Sequence, residues 1–217
     1  MKNQNYDKNY TLNLSLIFIS GMIECYTYLS YGIFASAQTG NLIFFILALK
    51  KQQWELEKKI LVVCACFIVG NTLATWAKNY FKKKWLPLCV LYVETCIFCF
   101  FTFLPPSILK LAVIAFIDTF QICFFNTLKG YTYNSFFITG DLKQLATAIA
   151  NYLCEPAKIN RQKMVFLGFI PFFFSLGVFC YLQFYPLAKD CLTIFFFLSI
   201  VTIKSTFSYL TYLKKNK

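Results

Sequence analysis

The 217-residue sequence contains no histidine, a single arginine (Arg161) and little charge, with Asp, Glu, Lys and Arg making up only 14%. Without histidine the commonest general base and metal-binding imidazole is absent. No Gly-x-Ser-x-Gly elbow and no phosphate-loop pattern replaces it. These absences argue against an enzyme, and neither a cofactor nor a metal is expected. The low charge excludes an ordinary soluble domain.

What fills the chain instead is carbon. Hydrophobic residues make up 59%, aromatics 20%, and Phe alone occurs 27 times. Apolar runs at 12–33, 60–76, 87–104, 108–128, 164–185 and 191–203 recur between lysine-bearing breaks. Most approach the roughly 20 residues that a membrane-spanning helix needs. The expected fold is all-α: a polytopic transmembrane helical bundle, one integral membrane domain over 1–217 with no room for a soluble domain. The net charge of +12 resides in lysines beside these runs, where it anchors loops against anionic lipid. The lipid bilayer is the expected partner, with a small solute or ion beside it, and nucleic acid is not. Glu24 within the first run and the bulky residues at its end argue against a cleaved signal, so Met1 to Lys217 is read as the mature chain.

Two polar interruptions stand out. In 34-FASAQTGNLIFFILAL-49 the residues Gln38, Thr39, Gly40 and Asn41 break an apolar stretch; in 134-NSFFITGDLKQLATAI-149 Thr139, Gly140 and Asp141 do so again. Tyr31/Tyr131, Leu42/Leu142 and Ala48/Ala148 match at the same spacing. An internal duplication with halves 12–104 and 107–213 is expected. Glycine permits the backbone angles that end a helix, and Thr, Asn or Asp can cap the next one. One reading makes each step the start of a half-helix inside the bundle, its positive dipole end free to face an anion or polar solute. The other makes Gly40 and Gly140 sites of close helix crossing.

The number of crossings follows from the same segments. Six full spans with two short Thr-Gly-containing helices make the halves inverted, whereas eight spans make them parallel. The basic clusters at Lys50, Lys51, Lys58 and Lys59 and at Lys78, Lys82, Lys83 and Lys84 flank one span, so they face opposite sides. The balance of basic residues is nearly the same in both topologies. Either way both termini are cytoplasmic, in a bacterial plasma membrane.

Carboxylates within apolar runs are functional suspects because leaving them unpaired in lipid is costly. Glu24 leads, four turns before the first Thr-Gly step; Gln121 is its expected counterpart before the second. Glu94 and Asp118 are secondary candidates, expected to bond Ser, Thr or Tyr hydroxyls. Asp141 also has a reading as a simple cap. Tyr26, Tyr28, Tyr31, Tyr131 and Tyr133 are read first as an interfacial belt and then as a solute path. The ten cysteines are read as small core hydrophobes. Gly70, Gly168 and Gly177 are expected at close helix contacts, and Pro171 at a kink.

The segment 21-GMIECYTYLSYGIFASAQTGNLIFF-45 resembles the signature of the YoaK-like family of multispanning bacterial membrane proteins, a domain of unknown function. The segment 121-QICFFNTLKGYTYNSFFITGDL-142 is similar to the family's later Gln-containing helix, Gly-Tyr turn (Gly130, Tyr131) and Thr-Gly step. Glu24 stands where the family usually has Asp. The resemblance implies an integral membrane protein of six or more helices and brings no activity with it. Two functions are carried forward: a small transporter or channel with Glu24 as a proton or cation coupling site, and an accessory membrane protein without transport.

Overall fold

The computed structural model describes residues 10–128, 131–185 and 191–215. Met1, Gly130 and Lys217 lie outside them. Eight helices follow one another among the described residues: α1 (Tyr10–Tyr31), α2 (Gln38–Lys50), α3 (Trp54–Phe81), α4 (Leu86–Phe101), α5 (Ile108–Phe124), α6 (Ile138–Cys154), α7 (Lys158–Phe184) and α8 (Leu192–Lys215). The strands β1 (Thr127–Leu128) and β2 (Tyr131–Thr132) form a small antiparallel ladder between α5 and α6.

Local chemistry sets several boundaries. Gly32, at φ 76, ends α1 in the left-handed conformation while its N–H bonds the Tyr28 carbonyl at 2.9 Å. Pro87 sits in the first turn of α4, where its missing N–H leaves no gap. The Ser107 hydroxyl caps α5 by accepting from the Lys110 amide. The helix break of the first half therefore falls at Gly32, and the Thr-Gly-Asn step lies inside the first turn of α2.

Four helices, α1, α3, α7 and α8, are long and apolar enough to cross a membrane. α4 with 16 residues is a shorter apolar helix, as is α2 with 13. At about 1.5 Å per residue α2 is about 20 Å long, well short of a hydrocarbon core of about 30 Å. Large apolar side chains such as Leu42, Ile46, Ile68, Phe100, Phe172 and Phe207 are exposed along these helices, as a lipid-facing surface requires.

Residue pairs fix the helix directions. Tyr10 meets Phe166, Phe18 meets Gly177 and Tyr26 meets Tyr181, so α1 and α7 are parallel. Gly70 with Phe116 and Thr75 with Cys123 make α3 and α5 parallel. Tyr92 with Thr206 and Thr95 with Thr202 make α4 and α8 antiparallel, and α8 also opposes α1, since Phe18 meets Phe197 while Tyr26 meets Cys191. Followed through the tight turns, α2 runs the same way as α1 although only residues 32–37 separate them. The chain reverses within that linker. The helix pairs also recur between halves: α1 with α7 and α5 with α3, α1 with α8 and α5 with α4, α2 with α3 and α6 with α7.

Close packing uses glycine where backbones touch. A side chain on Gly177 would strike the Phe18 carbonyl, and one on Gly21 the Phe174 carbonyl. A Cβ on Gly70 would come within 2.7 Å of the Phe116 carbonyl oxygen. Gly70 and Gly177 thus serve the expected contacts. Gly168 has open space, so it makes none. Nor do Gly40 and Gly140: a Cβ on Gly40 meets only the Phe34 ring at 3.4 Å, and one on Gly140 meets nothing within 4 Å. The crossing reading of the two Thr-Gly steps is overturned on that ground.

At the end of the bundle that holds the α3–α4 turn, Lys84 donates to the Tyr212 hydroxyl at 2.8 Å. This bond holds the exposed ammonium's pKa above its ordinary value.

Candidate functional site

The site is built where the chain reverses after α1. Ser36 donates its amide to Glu24 Oε1 at 2.9 Å and its hydroxyl to the same oxygen. One turn on, the Ala35 amide donates to Thr27 Oγ1 at 3.2 Å. Ser36 thus lies level with Glu24, seven residues before the end of α1, so the chain has returned by about 10 Å before α2 begins. Glu24 is buried, and its second oxygen, Oε2, lacks a hydrogen bond of good geometry among the described residues, although the Ala35 and Ala37 amides lie near the carboxyl.

The short helix holds the returning segment from its first turn. Asn41 Oδ1 accepts from the Phe34 amide at 3.0 Å and Asn41 Nδ2 donates to the Phe34 carbonyl at 2.7 Å. Gln38 donates to the Ala35 carbonyl at 3.0 Å, and its Oε1 accepts from Asn41 at 3.2 Å and from the Cys64 thiol of α3 at 3.1 Å. A carboxamide can do both because it carries a donor and an acceptor. The irregular backbone between α1 and α2 is thereby supplied with partners that lipid cannot provide.

The segment from Gln121 to Asp141 shows a similar arrangement with different atoms. Asp141 accepts from the Asn134 amide at 3.1 Å and 3.3 Å, the same seven-residue reach as Asn41 to Phe34. Asn134 in turn accepts from the Phe136 and Phe137 amides at 3.0 Å and 3.2 Å. Gln121 on α5 donates to Ser20 Oγ at 2.9 Å, the Leu16 carbonyl at 3.4 Å and Ser135 Oγ at 3.5 Å. Its Oε1, like Glu24 Oε2, is buried without a well-formed hydrogen bond among the described residues. Glu24 with Ser36 and Gln121 with Ser135 are equivalent bridges from a long helix to a returning loop.

Other candidates fall elsewhere. Thr39 and Thr139 are exposed, Gly40 is half-buried and Gly140 exposed. α2 packs on α3 and α6 on α7, and the two short helices are not a packed pair. The Thr-Gly steps therefore face outward, and only Asn41 and Asp141 turn in. Glu94 on α4 and Asp118 on α5 are fully buried, yet none of their four carboxyl oxygens has a hydrogen-bond partner among the described residues. The expected bonds to Ser, Thr or Tyr hydroxyls do not form. Instead Asp118 interacts electrostatically with Glu94 and with Glu24.

Tyr26, Tyr31 and Tyr133 are buried rather than interfacial. Tyr26 and Tyr31 place their hydroxyls 3.5 Å apart, and Tyr133 donates to Asn13. Of the cysteines only Cys123 and Cys191 are buried; Cys89, Cys96 and Cys154 are exposed and the rest half-buried. Cys25, Cys64 and Cys66 pack against the core that holds Cys123 and Cys191, so the core reading holds for these five and fails for the exposed Cys89, Cys96 and Cys154.

Sequence reasoning missed Ser20, Ser36 and Ser135, small hydroxyls that carry no signal until the loops are folded. It also missed Lys110, buried in the first turn of α5, where Nζ bonds the Phe101 carbonyl at 2.7 Å and the Leu104 carbonyl at 3.0 Å beneath the Tyr26 ring. Its position at the edge of an apolar run made it look like a boundary lysine.

A family model described as a protein of unknown function (DUF1275) matches residues 12–203, a stretch that includes both Thr-Gly steps and the buried acids Glu24, Glu94, Asp118 and Asp141. No curated protein and no solved structure matches the chain.

Proposed function

Because the chain belongs to the DUF1275 family, for which no function is established, we propose a function from the geometry: a membrane transporter or channel for a small solute or ion, with Glu24 as the coupling carboxyl. The observation that carries this is the bridge from Glu24 to Ser36, which leaves Glu24 Oε2 buried, without a well-formed hydrogen bond among the described residues, beside a broken helix. A buried, half-satisfied carboxylate is strongly disfavoured unless a proton or cation joins it. A broken helix at membrane depth is tolerated where protein or a water-filled path surrounds it.

The recurring helix pairs support an internal duplication, and the opposite directions of α4 and α8 support halves that are inverted relative to each other. In this reading six helices cross, α2 and α6 are re-entrant, and both termini share the cytoplasmic side. The path runs past Glu24, Gln38, Asn41, Gln121 and Asp141. Thr39, Gly40, Thr139 and Gly140 stand on the outer face of α2 and α6 and shape its entrances. The resemblance to the YoaK-like signature is kept as a finer placement within the family.

The accessory reading has its own support, since Asn41 and Asp141 both use their side chains to fasten backbone. The discriminating experiment reconstitutes the protein in liposomes and follows internal pH and the uptake of a panel of small solutes. Flux in the wild type, with its coupling lost in Glu24→Gln at equal folded amount, supports the transporter. Coupled flux unchanged in Glu24→Gln removes the coupling role, and a wild type that moves nothing favours the accessory protein.

A further inference from the structure

Glu94 and Asp118 play no part in the bridge between Glu24 and Ser36, and they have no structural task that the fold reveals. Both are at 0% exposure, on α4 and α5, and all four of their carboxyl oxygens lack a donor among the described residues. Salt bridges and hydrogen bonds normally explain a carboxylate in such a place. Neither is present here.

The charged groups nearby do not neutralise the pair. Lys110, on α5 two turns before Asp118, gives its ammonium to the carbonyls of Phe101 and Leu104. Lys78, on the adjoining α3, bonds the Cys123 carbonyl and Asn126 Oδ1. α8 faces α4 with the uncharged Thr202 and Thr206. From α1 the charged group that acts on Asp118 is Glu24, another acid.

An independent observation points to the same place. Gln121 lies three residues beyond Asp118 on α5, hence on the same helix face. Its amide nitrogen is fully used, but its buried Oε1 has no donor among the described residues. Every unpartnered polar atom of Glu94, Asp118 and Gln121 is thus an acceptor, and what the cluster lacks is hydrogen.

We infer that Glu94 and Asp118 form a proton-binding carboxyl pair, distinct from the bridge between Glu24 and Ser36. Two acids at 0% exposure on the packed helices α4 and α5, with no donor or cation among the described residues to compensate them, are strongly disfavoured as a doubly ionised pair. Uptake of one proton turns one carboxylate into a carboxyl whose O–H supplies the missing donor, and release returns the proton without breaking any other bond. A metal ion fits less well, since no group of three or more Cys, Asp or Glu among the described residues is arranged to hold one. The inference extends the transporter reading by making the coupling ion a proton, yet its test does not depend on flux.

The test is infrared difference spectroscopy of the purified full chain in phosphatidylcholine bilayers, reading the C=O stretch of protonated carboxyl groups during a pH step. The wild type shows a band that responds to pH and is indifferent to added sodium. Glu94→Gln and Asp118→Asn each lose or shift it, and Glu94→Asp, which keeps a carboxyl, shifts it without loss. Because Gln and Asn keep the side-chain shapes, size-exclusion profiles select the variants that fold, and any one of the three is sufficient to read. An identical band in a folded variant overturns the inference. Loss of the wild-type band on adding sodium at fixed pH also overturns it and makes the site a cation site. If Glu24→Gln abolishes flux while the band persists unchanged in these variants, the transporter stands and the proton pair falls.

Discussion

Ser36 gives both of its hydrogens, amide and hydroxyl, to one oxygen of Glu24, twelve residues earlier in the chain. This doubly donated bond fixes the returning segment against α1 and leaves the other carboxyl oxygen in the interior without a well-formed hydrogen bond among the described residues. One residue thereby shapes the broken helix and presents a reactive atom within it.

Removing half of that bond is the gentlest probe. Ser36→Ala keeps the backbone donor and deletes the hydroxyl, and a hydrogen bond to a charged group contributes about 1.5–3 kcal/mol. The variant is expected to unfold at lower denaturant by that amount in detergent titrations and to show weakened coupling. Unchanged stability and coupling would mean that the hydroxyl is incidental.

The glycines make opposite predictions. Gly177→Ala drives a methyl into the Phe18 carbonyl of α1, where overpacking costs about 1–3 kcal/mol or more. Gly140→Ala enters open space, and inside a helix it gains about 0.5–1 kcal/mol. Thermal unfolding of the purified protein should place Gly177→Ala below the wild type and Gly140→Ala at or above it. The reverse order would show that α6 is covered on its outer face.

Asp141→Asn retains an acceptor for the Asn134 amide, in the manner of Asn41 with Phe34 in the first half. It should preserve folded protein, whereas Asp141→Ala leaves that amide without its side-chain partner at a cost of about 1–3 kcal/mol. Quantifying monodisperse protein after extraction checks the ranking. Equal loss in both variants would indicate that the charge, and not the bond, is what matters at 141.

Much of the architecture was legible in the sequence because membrane helices announce themselves by composition. The run 12–33 became α1, which begins two residues earlier and stops at Tyr31 before Gly32, and 60–76 became α3 with both ends extended, since the segments Trp54–Lys59 and Lys78–Phe81 continue the helix beyond its apolar window. The two interruptions were legible as equivalents, and the reach of Asn41 and Asp141 to residues seven before them supports that equivalence. What sequence did not reveal was which residue of each step turns inward. Thr39, Gly40 and Asn41 are consecutive, and only the helix phase, set by packing on α3, buries Asn41 and exposes Thr39. That Glu94 and Asp118 lack hydroxyl partners among the described residues was equally hidden, because hydroxyls near in sequence bond their own helix carbonyls instead, as Thr95 does with Leu91 and Thr119 with Phe116.

The central claim is that the chain re-enters the membrane between α1 and α3, and the side on which Lys58 lies tests it most directly. The side chain of Lys58 is exposed, paired only at the surface with Glu55 at 3.0 Å. In a version with all ten cysteines replaced, single cysteines at Lys58 and at Lys82 are challenged with a membrane-impermeant thiol reagent on intact spheroplasts. With re-entry, the cysteine at 58 is labelled from outside and the one at 82 reacts only after lysis. Protection at 58 until lysis, with labelling at 82 from outside, would mean that 34–49 crosses fully, and would contradict the re-entrant reading and the inverted halves built on it.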